Sequence, residues 1–401
     1  MSAKVFVTGV GIISSIGLNN EETASALQES RSGIGRMTVL ETLYKDEIPV
    51  AEVKATNKEL KEISEVTNKD PFSRTTLLGI IAARQALSQT DIKDIKEFRT
   101  GLISATTVGG MDRSERFYKE YIKNNSRGRL RDIITHDCAD STERIADTFG
   151  IKDYVSTIST ACSSSANSIL VGSRMIENGI LDRVLVGGVD ALTLFTLNGF
   201  NSLMILDRTG CKPFDEERNG LTLGEGAGFL MIESEHAIRQ TGKTPLCEIK
   251  GYGNACDAFH QTASSPEGDG AFLSMQKALA KAGITPDVID YINAHGTGTK
   301  NNDLSEGKAI LKLWQGSVPP FSSTKSFTGH TLGAAGAIEA IFCVMALKHQ
   351  WIYPNLNFRH QMTDLGFSPV THFQHDIPLR NVMSNSFGFG GNNTSLIFSR
   401  C

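Results

Sequence analysis

Three side chains in this sequence stand where residue type and setting could do chemistry. Cys162 lies in S-T-A-C-S-S-S-A, between an apolar, β-branched run and a helix of small residues. A thiol at a strand-to-helix turn faces the unpaired N–H groups and the positive end of the helix dipole. That setting lowers a thiol pKa and raises the thiolate fraction, which predicts a nucleophile. Taken alone, the same residue also fits a buried structural cysteine. His295 lies in Y-I-N-A-H-G-T-G-T, at the end of an apolar strand, and Gly296 and Gly298 turn the chain away. Strand ends are where α/β sheets carry catalytic groups. His330, in S-S-T-K-S-F-T-G-H, directly precedes a helix. A helix N-terminus pushes an imidazole towards its neutral form, a donor of one N–H that is not an acid. Singly, each histidine also fits a turn or capping role. A fourth motif, N-S-F-G-F-G-G (385–391), is followed by Asn392 and Asn393. A phosphate cradle would want Lys and Ser or Thr there, so backbone N–H groups presented to an oxyanion are the better reading.

These residues need a scaffold, and the composition bounds it. The 401 residues carry 40 Lys+Arg against 44 Asp+Glu, with 40% hydrophobic and 21% charged residues. That balance excludes a collagenous, coiled-coil or wholly disordered chain, and a generally basic nucleic-acid binder. Length predicts two domains or one large two-part core. Seven cysteines at wide spacing, with no C-x-x-C, argue against a disulfide framework or a zinc site and fit a reducing cytosol. The N-terminal run holds no signal peptide or membrane span, so the expected location is cytoplasmic.

Val5–Thr8 reads as a strand entering a glycine turn. The run T-G-V-G-I-I-S-S-I-G there lacks the third glycine of a dinucleotide fingerprint. Helices are expected over 20–31 and 73–89, and a strand over 99–110. A polar, partly helical cap is expected over about 111–150. After it, one order recurs: active-looking residue, helix, strand, glycine turn, strand. It runs from Cys162 to the glycine turn at 224–228, and again from His330 to the turn at 388–393. The spacing is 62 residues from Cys162 to Gly224 and 58 from His330 to Gly388. The chain therefore reads as a duplicated α/β unit, 1–245 with the cap and the cysteine, 246–401 with both histidines.

The strings TACSSSA, NAHGTGT, STKSFTGH with LGAAGAIEA, and SNSFGFGG together resemble a β-ketoacyl-acyl-carrier-protein synthase of the type II elongating class, over nearly the whole chain. The resemblance implies a thiolase-like fold, with duplicated halves forming a five-layer αβαβα core. It implies decarboxylative condensation of an acyl thioester with malonyl-acyl-carrier protein in fatty acid elongation. Cys162 then takes the acyl chain. His295 and His330 stabilise the enolate formed when malonyl loses CO₂. Lys325 orders the site around His330, and Glu306 pairs with that lysine. The N–H groups of Cys162 and Phe389 form the oxyanion hole, and Phe389 acts as a gate. Thr297 and Thr299 hold the phosphopantetheine arm, and Val108 lines the acyl pocket. No metal or resident cofactor is implied, since phosphopantetheine arrives on the carrier. Glu339, Ser384 and Asn385 match a structural monovalent-cation site in relatives.

The implied partners are an acidic acyl carrier protein and a second copy of the chain, with no nucleic acid or membrane. Lys69, Arg74, Arg208 and Lys212 are the candidates for a carrier-binding patch. Departures from the family pattern occur at Lys212, at Lys300 and Asn301, and at Asn392. Two alternatives stand beside the main reading: the same chemistry in a specialised polyene or polyketide pathway, and a non-catalytic chain-length partner subunit. Such a subunit usually lacks the nucleophile. A degradative thiolase would carry a second cysteine in the GFGGNN turn, and an initiating synthase would use His and Asn.

Overall fold

Residues 3–66 and 71–401 of the chain are described by the computed structural model. Ten strands form the frame: β1 (Val5–Ser14), β2 (Thr100–Ala105), β3 (Tyr154–Ile158), β4 (Arg183–Asp190), β5 (Gly226–Ser234), β6 (Cys247–Cys256), β7 (Tyr291–Asn293), β8 (Phe321–Ser322), β9 (Asn381–Phe387) and β10 (Asn392–Ser399). Six helices sandwich them: α1 (Arg74–Ser88), α2 (Cys138–Phe149), α3 (Ser164–Glu177), α4 (Asp269–Ala282), α5 (Lys300–Trp314) and α6 (Ala335–His349). Most of these strands are buried along nearly their whole length because helices cover both faces.

The strand order is β3-β2-β4-β5-β1-β6-β10-β9-β7-β8. Read outward from the β1/β6 junction, the two halves are the same. β1 and β6 each meet the last strand of their half antiparallel, that strand meets the fourth antiparallel, and the remaining pairs are parallel. The junction itself pairs only Phe6 with Glu248 and Val7 with Cys247, so the sheet is free to fold back there. α1 packs on β1 and β5, α4 on β6 and β10, and α3 and α6 lie between the halves and touch strands of both. The expected duplicated, five-layer αβαβα core is the observed one.

The glycines of the first strand have a packing cause. A Cβ on Gly9 would lie 2.2 Å from the Ala86 carbonyl oxygen, and one on Gly11 would lie 2.0 Å from that of Ala82, both on α1. Gly251 and Gly253 of β6 meet α4 in the same way, at 2.3 and 2.2 Å from the oxygens of Ala278 and Ser274. The G-x-G pairs seat a helix on a strand, once per half.

Three expectations are corrected. The cap is shorter than 111–150: the exposed helix Met111–Lys123 is a surface feature, but α2 packs on α1 and belongs to the outer layer. The glycine turn at 224–228 is largely strand, since β5 starts at Gly226. Arg74 is no surface cation. It is buried at the start of α1, with Nε and Nη2 on the Glu225 carboxylate at 2.9 and 2.6 Å, and it donates to the carbonyls of Val53 and Ala55. Lys69 lies outside the described residues. Leu332–His349 is apolar and long enough to cross a membrane by length and composition, yet 89% of that window is buried inside the protein as the central helix.

Removing one partner of a buried ion pair strands the other charge, at a cost of about 3–5 kcal/mol. Arg74→Ala should therefore lower the unfolding free energy by that order and the denaturation midpoint with it, whereas Arg208→Ala, whose exposed pair with Glu47 is worth ~0–1 kcal/mol, should leave both nearly unchanged. Equal midpoints for the two variants would contradict the assignment.

Candidate active site

The duplication places the reactive groups. α3 and α6 are equivalent central helices, and Cys162 lies two residues before the first and His330 five residues before the second. The chain reaches Cys162 through Ala161, held at φ +52°, a left-handed conformation that costs a non-glycine residue energy and turns the thiol off the strand. His295 follows β7, and Phe389 sits in the short turn between β9 and β10. The Cys162 sulfur and one ring nitrogen from each histidine lie within 4.8 Å of one another, all three residues buried. The imidazole rings are 5.4 Å apart and nearly perpendicular.

Hydrogen bonds fix the protons on both rings. Lys325 Nζ donates to His295 Nδ1 at 3.1 Å and to the His295 carbonyl at 2.6 Å, and it also bonds Glu339 Oε1. The Leu332 N–H donates to His330 Nδ1 at 3.2 Å. A ring nitrogen that accepts leaves the proton on its partner, so both Nε2 atoms are donors. Among the described residues, His330 Nε2 is buried without a hydrogen-bond partner. Burial, first, and then the Lys325 charge push both histidines well below the ordinary pKa, and His330 adds to the effect on His295. The site therefore offers two neutral N–H donors beside a sulfur. This arrangement suits an oxyanion and not a metal, because a ligating nitrogen must give its lone pair to the ion and pass its proton to the other side of the ring.

The thiol differs from the expectation. Burial pushes Cys162 up to about 11, against the opposing pull of the Phe389 N–H, Lys325 and its own N–H. The favourable donors are present, but desolvation outweighs them. The Phe389 turn lies against the cysteine, a Cβ on Gly388 falling 3.3 Å from the Cys162 nitrogen, and the N–H groups of Cys162 and Phe389 both act to lower the thiol pKa.

The carboxylates are exchanged relative to the expectation. Glu306, expected to pair with Lys325, instead accepts from the N–H groups of His295 at 2.9 Å and Gly296 at 2.8 Å, and from Asn385 Nδ2 at 3.2 Å. The lysine's partner is Glu339 on α6. Each carboxyl is raised to about 7 by burial. Lys325 also orders His295 directly, where His330 was expected. Glu339 Oε1 bonds Lys325 and Asn385 Nδ2 bonds Glu306, while among the described residues Glu339 Oε2 and Ser384 Oγ are buried without a hydrogen-bond partner. Asp303, missed in the sequence, holds the same loop three residues earlier on α5, accepting from the N–H groups of Thr297 and Gly298. Its i, i+3 spacing to Glu306 was the available signal.

Two cavities meet at Cys162. One, of about 320 Å³, is lined by both histidines with Thr297, Thr299 and Asn302, and Lys300 stands at its rim. The hydroxyls of Thr297 and Thr299 are 2.9 Å apart, and Thr299 caps α5. The other, of about 440 Å³ and mostly apolar, is lined by Val108, Met111, Phe195, Phe200 and Leu332. Phe389 borders both, stacked on Phe200 with ring centres 6.2 Å apart. Asp190, also missed, ties the apolar wall to the start of the central helix: it accepts from the N–H groups of Thr107, Val108 and Gly333. Of the expected basic patch, Arg208 is exposed and paired with Glu47, and Lys212 is half-buried.

Comparison with known proteins agrees with this geometry. The beta-ketoacyl synthase N-terminal domain model matches residues 2–237, and the C-terminal domain model matches 246–359. The chain is 34% identical to 3-oxoacyl-[acyl-carrier-protein] synthase 2 of Staphylococcus aureus (strain N315), over 99% of this chain and 98% of that protein. It is 33% identical to nodulation protein E of Rhizobium meliloti (strain 1021), over the full length of both. Among solved structures it is similar to the ishigamide ketosynthase/chain length factor, with a TM-score of 0.94 and 30% identity over the whole of both chains. It is also similar to a ketosynthase in complex with its chain length factor from Xenorhabdus doucetiae, with a TM-score of 0.85 and 33% identity over 100% of this chain and 98% of that one.

With the thiol raised to about 11, only about one sulfur in ten thousand is thiolate at pH 7. Alkylation of Cys162 by iodoacetamide, followed by peptide mass mapping, should climb roughly tenfold per pH unit from 7 to 10. A plateau below pH 9 would reveal an acidic thiol instead.

Proposed function

This chain belongs to the beta-ketoacyl synthase family, and from that premise we propose that Cys162 carries the growing acyl chain while His295 and His330 serve the malonyl donor. The reaction is a decarboxylative condensation giving 3-oxoacyl-acyl-carrier protein, as in fatty acid elongation. The observation that carries the assignment is the convergence of one sulfur and two neutral imidazoles where a polar and an apolar cavity meet.

In the first half-reaction the Cys162 sulfur attacks the carrier-bound thioester, and its proton passes to the departing carrier thiol. The N–H groups of Cys162 and Phe389 hold the tetrahedral oxyanion, and the acyl tail lies in the apolar cavity past Val108. In the second, malonyl-carrier places its thioester oxygen between the two Nε2–H donors. The C–C bond to the carboxylate breaks, CO₂ leaves, and its electron pair becomes the enolate. Two fixed donors in a dry site stabilise that charge by several kcal/mol, and because they are neutral they need not repel each other. The enolate carbon then attacks the acyl carbonyl, and collapse of the second tetrahedral intermediate expels Cys162 as thiolate, which takes up one proton. Thr297 and Thr299 line the path of the phosphopantetheine arm, and Phe389 gates between the two cavities. No resident metal or cofactor is required.

The carrier docks at the rim near Lys300, Lys212 and Arg208, and the protein works in the cytoplasm as a homodimer. The dimer is supported by β3, an edge strand that among the described residues pairs with β2 alone and leaves Val155 38% exposed, and by the exposed apolar side chains of Tyr118, Ile122, Leu130 and Phe195. Phe195 also borders the apolar cavity, so a second copy would close its mouth. Size-exclusion chromatography with light scattering should give twice the chain mass. A monomer with full turnover would refute the dimer. The same condensation in a specialised polyene or polyketide pathway is the second reading, favoured by the likeness to ketosynthases of chain length factor pairs; products from primers of graded length separate the two. A non-catalytic partner subunit is disfavoured by the presence of Cys162.

Intact mass after incubation with acyl-carrier thioester should gain one acyl group, and Cys162→Ser should gain none. His295→Ala should slow malonyl decarboxylation at least about a hundredfold while Cys162 is still acylated. Unmodified wild-type protein, or normal condensation in the histidine variant, would overturn the roles given.

A further inference from the structure

Behind the nucleophile lies a polar cluster that the steps above leave unused. The Asn392 side-chain oxygen accepts from three donors: Ser163 Oγ at 2.8 Å, Asn167 Nδ2 at 2.9 Å and Asn254 Nδ2 at 2.9 Å. Asn167 also donates to Thr160 Oγ1 at 2.9 Å and accepts from Thr394 Oγ1 at 2.8 Å. Ser163, Asn167 and Thr394 are buried. The backbone carbonyl of Asn392 meanwhile accepts from the Gly388 N–H at 2.9 Å, which closes the turn carrying Phe389. One residue thus shuts the Phe389 turn with its main chain and ties it with its side chain to the first turn of α3. That helix turn follows directly on Cys162.

The two segments pack against each other beside the sulfur, a Cβ on Gly388 falling 3.0 Å from the Thr160 carbonyl oxygen and 3.3 Å from the Cys162 nitrogen, and each carries one of the two N–H groups of the oxyanion hole proposed above. An oxyanion is held well only if both donors lie about 2.7–3.1 Å from it, so the separation of the segments is a catalytic quantity. We propose that Asn392 is a positioning residue that fixes the spacing of the Cys162 and Phe389 N–H groups, and so sets how tightly the tetrahedral intermediate at Cys162 is held. The inference deepens the condensing-enzyme reading and rests on it. The Asn167 and Asn254 amides both donate to the hub oxygen, and Ser163 has its one proton to share between that oxygen and the Thr160 carbonyl, each at 2.8 Å, so what the position requires is an acceptor. An aspartate supplies one with the same shape, and a leucine does not.

The test uses the full chain and the variants Asn392→Asp and Asn392→Leu. Three quantities are read: single-turnover acylation of Cys162 by acyl-carrier thioester, decarboxylation of malonyl-carrier, and the thermal midpoint. Decarboxylation leans on the histidines and not on the N–H pair, so it separates lost positioning from general damage. Asn392→Leu should lower the maximal acylation rate about 10- to 100-fold with the half-saturating concentration nearly unchanged, and leave decarboxylation within about threefold. Asn392→Asp should recover acylation to within about threefold of wild type. Parallel loss of both activities in the leucine variant, unchanged acylation there, or an aspartate variant as slow as leucine would overturn the proposal. If Asn392→Leu does not fold, Asn254→Leu removes one donor to the hub from outside the turn; slower acylation with intact decarboxylation supports the proposal, and unchanged acylation overturns it. Wild-type protein that takes up no acyl group would instead sink the underlying reading.

Discussion

One buried ammonium decides what the two imidazoles can be. Lys325 sits almost fully out of water and gives its protons to His295 Nδ1, to the His295 carbonyl and to Glu339. The first of these bonds turns the His295 ring into an Nε2 donor. The charge itself discourages protonation of both rings. Glu339 keeps the ammonium from being an isolated buried ion, which would be far too costly to retain. The lysine, the glutamate and the histidines therefore form one electrostatic unit: remove any member and the protonation of the others changes. The same burial that keeps the imidazoles neutral also holds the thiol protonated. A single dry environment suits stabilising an enolate and leaves the nucleophile dependent on fixed N–H donors.

The unit assembles because the fold is built twice. Strand order and strand direction repeat about the β1/β6 junction, and each half presents the start of a central helix at the same place. One helix start receives a cysteine, the other a histidine. Loops from β7 and from between β9 and β10 complete the set. Residues far apart in sequence meet because equivalent points of two copies face each other across the central layer.

Much of this was legible in the sequence. The four motifs marked the cysteine, both histidines and the glycine turn that the fold brings together, and the spacing of the two repeats marked the duplicated core. Each of those signals is local: a residue type at a strand end, a glycine turn, a helix start. What failed to be legible depended on pairing across the chain. Lys325 lies 19 residues from Glu306 and 14 from Glu339, and nothing in either spacing says which carboxylate it meets. Arg74 looked like any solvated charge until Glu225 came to face it across the packed layers. The thiol was misjudged because a helix start is visible in sequence and the depth of burial is not. The G-x-G of β1 reads in sequence only as an incomplete nucleotide turn, and its counterpart in β6 gains meaning only when both are seen to seat a helix.

The apolar cavity takes part of its wall from Met111, at the start of the exposed helix, and from Phe195, while the reacting groups are rooted in the central layer. With the acyl chain in that cavity, as proposed, part of what sets product size lies outside the layer that holds the bond-making groups. Mutational drift at the periphery can reshape what the protein accepts without disturbing the charge arrangement at its heart, so one catalytic kernel can serve many lineages with different appetites.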